Sequence, residues 1–338
     1  VSDAAEGPKA HRRLLVIHNP MAGRRRRARF WAALELLERD GHDLSLRPTE
    51  APGDASAFAR NVGPDAADLV VAAGGDGTIN EVINGLVAPG RPASLPPLPL
   101  AIVPLGTSNV LAAEIGLAKT PAAVARAIRE AVLCRVSLGR ITGTGVAAAG
   151  RYFILMAGAG PDGHAVAGVD PALKRRYAQG AYLWSGLRQV LISRRRRYAV
   201  EVDGEAHEAA WVVVAKAGRY GGPFVMAARA RLDQPRFEVC LFAEGGVWPA
   251  ARYGSALALG RLAGSPGFKS VLGRRVRIAA AAPAPDAPAA DSVAESVAES
   301  GAEPLQADGE DVARLPVEIE VVPDALDLVV PRGGPYGG

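Results

Sequence analysis

Apolar positions in the first third of the chain follow two alternating periods. Leu14 to His18 is a short apolar run, and within Arg29 to Arg39 the residues Phe30, Leu34 and Leu37 recur at helical spacing before Gly41 stops the segment. The same alternation continues with a strand at Leu44 to Arg47, a capped helix from Pro52 to Arg60 and a buried strand at Leu69 to Ala73. A helix then follows over Thr78 to Leu86, with Ile79, Val82, Ile83 and Leu86 on one face. Leu98 to Pro104 predicts a further strand and Pro121 to Leu133 a further helix. Such alternation builds a doubly wound parallel sheet covered by helices.

After Leu133 the period shortens. Arg135 to Arg140, Arg151 to Met156, Ala199 to Val202, Trp211 to Ala215, Phe237 to Phe242 and Arg274 to Ile278 are short strand-like runs, and Val317 to Val322 and Leu326 to Val330 close the series. A succession of this kind predicts an antiparallel β-sandwich. The expected organisation is an α/β nucleotide-binding domain over 11–134 and a β-rich domain over 135–331. Residues 279–302 are Ala, Pro, Ser, Asp and Glu with the near-repeat SVAESVAES, too poor in large apolar groups to order themselves, so a disordered insertion is expected there.

The chemistry is concentrated where strands deliver turns. Gly74-Gly75-Asp76-Gly77-Thr78 joins the predicted strand Leu69 to Ala73 to the helix that follows. Glycines at such a junction let the backbone approach a ligand, and the helix start presents free N–H groups and a positive dipole end, which suits phosphate. Asp76 would repel a bare phosphate and makes sense if a metal ion accompanies it. A bland tight turn is the competing explanation, but average residue usage yields GGDGT by chance on the order of once in a few thousand chains of this length. Leu98 to Pro104 delivers a second polar glycine turn, Gly106-Thr107-Ser108-Asn109, to the same sheet edge, where open α/β sheets bind ligands. Asn80 and Glu81 follow the first turn; Glu81 suits either metal-bound water or the helix dipole.

Composition narrows the partners. With 49% hydrophobic and 22% charged residues the 338-residue chain reads as globular, and it has no long uncharged apolar run and no apolar signal core. A cytoplasmic protein with its two cysteines, Cys134 and Cys240, buried as free thiols is expected. Net charge is +4, with basic residues clustered at Arg24 to Arg27, Lys174 to Arg176 and Arg194 to Arg197. Such runs are ordinarily solvated faces; anionic headgroups rank next and nucleic acid last, because aromatic residues are only 5% of the chain and no reading motif is present. Ala181 to Ile192 is spaced as an amphipathic helix running into Arg194 to Arg197, which suits either a membrane surface or a core-packed helix with a solvated end.

Four separated blocks, NPMAG (Asn19 to Gly23), GGDGTINEVINGL (Gly74 to Leu86), PLGTSNVLAAEIGL (Pro104 to Leu117) and ADGED (Ala307 to Asp311), resemble the diacylglycerol kinase catalytic-domain family, which includes sphingosine, ceramide and bacterial lipid kinases. The resemblance implies an NAD-kinase/diacylglycerol-kinase-like fold and an ATP- and Mg²⁺-dependent lipid kinase. Its acceptor would be diacylglycerol, a ceramide or a sphingoid base, held between the domains of a peripherally membrane-associated enzyme. It implies a nucleotide site of Asn19, Gly23, Thr49, Gly74, Gly75, Asp76, Gly77, Thr78, Glu81, Gly106, Thr107 and Asn109. It implies Asp308 as the group that takes the acceptor proton, Asp76 and Glu310 as metal-side carboxylates, and Asp162, in the glycine-rich turn Ala157 to Gly163, near the acceptor.

The chain departs from the family at three positions. Val110 stands where many members have Asp. Gln234-Pro235 stands where bacterial members often have an Asp-Gly pair for a structural divalent ion, with Asp233 one residue off, so that accessory site is expected to be absent. Lys216 replaces a common Asn. GGDGT is shared with NAD kinases, so an NAD kinase and a catalytically silent nucleotide- and membrane-binding module are the alternatives; the NPMAG and ADGED blocks weigh against the first, and intact Asp76 and Asp308 against the second. The sequence leaves a homodimer open.

Overall fold

The computed structural model describes residues 11–22, 26–89, 91, 95–145, 150–161, 197–281 and 303–338. Asp162, Gly23, the predicted helix 181–192, most of the basic run after it and most of the Ala/Pro/Ser insertion therefore lie outside the described residues. The chain divides into two compact units, one of residues 1–138, 221–223 and 323–338, the other of 139–220 and 224–322.

In the first unit strand and helix alternate as β1 (Arg13–His18), α1 (Arg27–Arg39), β2 (Asp43–Pro48), α2 (Asp54–Arg60), β3 (Leu69–Gly74), α3 (Asp76–Leu86), β4 (Leu100–Pro104), α4 (Val110–Glu114) and α5 (Pro121–Glu130). All six residues of β3 and all five of β4 are buried, as expected of central parallel strands covered on both faces. The helix predicted to reach Leu133 ends earlier. Ala131 takes a left-handed conformation at φ 43° and its N–H caps the Ala127 carbonyl, so the apolar residues beyond it begin a strand instead.

The parallel order is β2-β1-β3-β4, and the end of the long strand Glu310–Val330 adds on the far side, Leu328 pairing parallel with Leu100. Residues 323–338 thus group with the first unit, whereas sequence pattern places 323–331 in the β-rich domain. The chain goes from β1 outward to β2 and then back across β1 to β3. The sheet therefore has its switch point between β1 and β3, where the carboxyl-end loops diverge and a crevice opens.

The second unit contains β5 (Val132–Thr144, from Gly139 on), β6 (Arg151–Phe153), β7 (Met156–Ala159), β8 (Tyr198–Val202), β9 (Glu205–Ala209), β10 (Trp211–Ala215), β11 (Arg219–Tyr220) and β12 (Phe224–Val225). It continues with β13 (Phe237–Phe242), α6 (Val247–Ala258), β14 (Phe268–Gly273), β15 (Arg275–Ala280), β16 (Pro304–Ala307) and most of β17 (Glu310–Val330). One antiparallel run reads β14-β13-β10-β7-β16-β17; from β17 the sheet turns back through β15, β8 and β9. The two layers enclose a core that includes Phe153, Tyr198, Val214, Phe237, Ile278 and Leu315. This is the expected sandwich.

Several local expectations are corrected. The glycine-rich segment from Ala157 is not a turn at its start: Met156–Ala159 is the buried strand β7, paired with β10 and β16, and the chain departs only at Gly160, whose φ is 132°. Small side chains suit this tight central position better than a loop. The two strands expected after Val317 are one, running without interruption from Glu310 to Val330. Cys134 and Cys240 are free and buried, and burial raises the Cys240 thiol far above its ordinary value.

Lys216 is the most unusual core residue. It is completely buried at the end of β10, and its ammonium donates to the carbonyl of Gln234 at 2.8 Å and to that of Arg231. Asp233, held below the usual carboxylate range first by its hydrogen bonds with Arg231, also feels the Lys216 charge. The loop from Arg231 to Gln234 is therefore organised around an ammonium.

Candidate functional site

The site in the first unit is made by three carboxyl-end turns that hold one another. β1 ends at His18, and Asn19 folds the next turn by accepting N–H bonds from Met21 (2.9 Å) and Ala22 (3.2 Å) on its side-chain oxygen. The Asn19 N–H donates to the Ala73 carbonyl at 3.0 Å, which ties this turn to the end of β3 across the switch point. From the other side, the N–H groups of Leu105 and Gly106 both donate to the Gly74 carbonyl, at 2.8 and 3.2 Å.

The two glycine turns then touch backbone to backbone. A Cβ placed on Gly106 would lie 2.6 Å from the Gly75 Cα, closer than any real side chain sits, so this junction requires glycine. Gly75 is the N-cap of α3 and no side chain caps that helix, which leaves its first N–H groups for a ligand. Gly77 and Thr78 are half-exposed along this first turn, and Thr107 is exposed on the neighbouring loop.

Asp76 is engaged in a way the sequence did not announce. Its carboxylate accepts the N–H of Val110 at 3.0 Å and of Leu111 at 3.2 Å, capping α4 from a different turn. Val110 thus meets Asp76 through its backbone, which explains how an apolar side chain is accommodated there. Asn109 adopts the left-handed region at φ 50° to make the bend, and its amide donates to the Gly106 carbonyl at 2.7 Å. The Asn109 Oδ1 is buried and has no hydrogen-bond partner in the structure. A buried acceptor without a donor is costly unless a ligand supplies one.

The remaining predicted residues flank this crevice. Thr49, at the end of β2, donates its N–H to the His18 carbonyl at 2.9 Å. Glu81 accepts the Gly53 N–H at 3.0 Å, tying α3 to the turn before α2. Two cations that sequence reasoning passed over also arrive here. Arg26 donates to the Leu105 carbonyl at 3.2 Å, and Lys119 to the Ser108 carbonyl at 3.0 Å. Arg26 belongs to a run read as a solvated face, while Lys119 carries no local signal at all. His18 lies against Phe30 with ring centroids 5.1 Å apart and planes tilted by 33°, and burial, then the Arg27 charge, hold its imidazole below the ordinary histidine value.

Asp308 and Glu310 come together in the second unit. Asp308 and Gly309 are the two central residues of the β16–β17 hairpin, both at positive φ (48° and 84°), with Ala307 paired to Glu310. The Asp308 carboxylate accepts the N–H of Ile154 at 2.9 Å on one oxygen and of Leu155 (2.9 Å) and Met156 (3.0 Å) on the other. It therefore pins the bend between β6 and β7. Glu310 is ion-paired with Arg151 at 2.6 Å.

Whether these carboxylates fit a metal is decided by their existing bonds. A carboxylate accepts about four hydrogen bonds, so Asp76 retains capacity for metal-bound water. Among the described residues, however, no group of three or more His, Cys, Asp or Glu side chains could ligate an ion. The donor set suits a Mg²⁺ that arrives with nucleotide phosphates and keeps its waters, and does not suit an ion caged by protein alone.

Comparison with known proteins identifies the family. Residues 13–141 match the family model described as the diacylglycerol kinase catalytic domain, and residues 156–330 match the YegS C-terminal NAD kinase beta sandwich-like domain. The diacylglycerol kinase of Bacillus subtilis strain 168 is 30% identical over 236 residues, covering 68% of this chain and 73% of that protein. A Pseudomonas aeruginosa PAO1 protein named as a probable lipid kinase YegS-like is 28% identical over 325 residues, 95% of each chain. A crystal structure of a diacylglycerol kinase from Bacillus anthracis str. Sterne superposes with a TM-score of 0.69, covering 95% of this chain and 98% of that one. At 20% identity that likeness speaks for the fold alone.

Proposed function

The chain belongs to the diacylglycerol kinase family and is a lipid kinase, and from that premise we propose that it transfers the γ-phosphoryl of ATP to the free hydroxyl of diacylglycerol. The observation that carries the donor half is the locked pair of glycine turns at the switch point, Gly74 to Thr78 against Gly106 to Asn109, with an uncapped helix start facing the crevice. Diacylglycerol is favoured over ceramide or a sphingoid base because the Bacillus subtilis relative is named as a diacylglycerol kinase.

Phosphoryl transfer asks a protein mainly to hold the nucleotide, spread charge and aim the acceptor. In this reading the N–H groups at the start of α3 hold the phosphates, Arg26 and Lys119 add positive charge, and Asn109 receives a donor from the nucleoside. When bound, Mg²⁺ spreads the negative charge of the γ-phosphoryl. Asp76 keeps the two turns in register and would help to hold the Mg²⁺ ion through its remaining acceptor capacity. Asp308 accepts the hydroxyl proton of the lipid. Glu310, already paired with Arg151, acts on the position of the Asp308 hairpin rather than on an ion.

The test is transfer of radiolabelled phosphate from ATP with Mg²⁺ onto diacylglycerol, ceramide, sphingosine and NAD, with Asp76→Ala as control. Labelled diacylglycerol, lost in the variant, is the expected result. Label on a sphingolipid would move the acceptor. Label on NAD alone, or none on any acceptor, would overturn the reading.

A further inference from the structure

Surface helices normally turn their apolar side inward. α6 does the reverse. Of its twelve residues only Tyr253 is buried, whereas Trp248, Ala251, Ser255 and Ala258, with Leu259 just past its end, are exposed at positions i, i+3, i+7, i+10 and i+11. Those spacings describe one helix face, bordered at i+4 by Arg252, which is paired with Glu244. Trp248 is 79% exposed and Leu259 70%, the two highest values among the large apolar side chains described. α6 packs beside β12, which adds Phe224 and Val225, themselves 41% and 46% exposed. Large apolar groups left in water close to one another, Trp248 and Leu259 with Phe224 and Val225 beside the helix, mark an interaction surface.

Charge indicates what covers it. From Gly245 to Ala281 the chain has six basic residues, Arg252, Arg261, Lys269, Arg274, Arg275 and Arg277, and no acidic one. Arg261 and Lys269 are exposed on the segment that runs from the end of α6 into β14. At the α6 end of this region Glu244 is neutralised by Arg252 at 3.2 Å, whereas Asp203 and the glutamates of the paired strands meet the far end, at Arg274, Arg275 and Arg277. An apolar helix face bearing a tryptophan, with the exposed cations Arg261 and Lys269 beyond its end, matches the boundary between headgroups and acyl chains of an anionic bilayer. No described helix is long and apolar enough to cross a membrane, so this contact would be parallel to the surface.

We infer that α6, with β12, is the membrane-docking surface of the protein, and that its partner is an anionic lipid bilayer. The inference deepens the lipid-kinase reading by assigning the surface that brings the enzyme to its substrate, and rests on that reading for its biological sense. Segment 181–192, whose spacing suits either a membrane surface or core packing, lies outside the described residues.

The experiment is flotation of the full chain with vesicles of phosphatidylcholine alone or mixed with phosphatidylglycerol, at low and high salt. Wild type is expected to float with the anionic vesicles, less so at high salt. The double variant Trp248→Glu/Leu259→Glu is expected to lose at least about tenfold in vesicle affinity, and Arg261→Glu/Lys269→Glu to lose the salt-sensitive part. Because Trp248 and Leu259 are solvent-exposed, the double variant should keep the wild-type melting temperature and wild-type turnover of a short-chain diacylglycerol in detergent micelles. Undiminished flotation of the double variant overturns the inference, as does a wild-type dimer in sedimentation that the same variant splits, since a second copy then covers the face. Flotation that depends on Trp248 and Leu259 in a protein that phosphorylates no lipid would leave this surface standing while the proposed function fell.

Discussion

Replacing Asp308 by Asn separates what this carboxylate does for the fold from what it does for the reaction. The wild-type side chain accepts three backbone N–H bonds of 2.9, 2.9 and 3.0 Å from Ile154, Leu155 and Met156, all of them buried residues. An Asn can keep its oxygen toward Leu155 and Met156, but its amide nitrogen then faces the Ile154 N–H. One bond is lost with a donor left unpaired, costing about 1–3 kcal/mol, and the other two weaken as they lose charge assistance; the total is about 2–5 kcal/mol. If Asp308 also takes the acceptor proton, turnover falls by about 10² to 10⁴ with KM for ATP nearly unchanged.

Urea unfolding gives the first quantity, and steady-state kinetics at a temperature where the variant is fully folded gives the second. Gly309→Ala is the control. Gly309 has φ 84° and open space where a Cβ would go, so Ala strains the same hairpin by about 1–2 kcal/mol without touching the carboxylate. Wild-type stability in Asp308→Asn would refute the hydrogen-bond reasoning. Full turnover would refute the proton-acceptor role, and an equal loss of turnover in Gly309→Ala would assign the effect to hairpin integrity.

Gly106→Ala should push the two glycine turns apart, because the new Cβ meets the Gly75 backbone at 2.6 Å; the expected cost is about 1–3 kcal/mol, with weakened ATP binding by calorimetry, and unchanged affinity would refute the close-contact argument. Lys216→Met should lower stability by about 2–4 kcal/mol, since it strands two carbonyls that accept from a buried ammonium. In the wild type, EDTA should leave the urea midpoint unmoved, because the ammonium already serves the carbonyls a cation would use; a drop would contradict this. His42 is 4% exposed with both ring nitrogens unpaired, and burial, then Arg12, hold its value below the ordinary one. The unfolded chain therefore binds a proton first, so stability is complete above the ordinary histidine range, about 6.5, and falls as pH drops below it. His42→Leu should flatten that fall between about pH 7 and 5 in urea titrations, and an unchanged slope would assign it to other groups such as His18.

Much of the first unit was legible because its signals are local. A six-residue apolar strand, a glycine turn and a helix of 3.6 period each reveal themselves within a dozen residues, and β3, the GGDGT turn and α3 stand where that pattern predicts. Trp211–Ala215 and Phe237–Phe242 were legible for the same reason, as continuous buried runs. α6 escaped notice because it buries one residue, so no inward apolar stripe marks it. Met156–Ala159 escaped because its small residues read as a turn, and only its neighbours β10 and β16 make it a strand.

By itself the sequence determined the alternation of the first unit, the shift to short strands, the phosphate-suited turn and the residue types able to serve a kinase. Tertiary structure alone decided what those residues are bonded to. Asp76 caps α4 from 34 positions away and Asp308 pins a bend more than 150 positions earlier, because a carboxylate seeks whichever N–H groups the fold leaves without partners. Lys216 became an internal cation only when β10 ended beside the carbonyls of Arg231 and Gln234. The return of β17 to the edge of β4 was likewise invisible, since strand pairing is a choice of neighbour, and a strand's own residues state its period but not its partner.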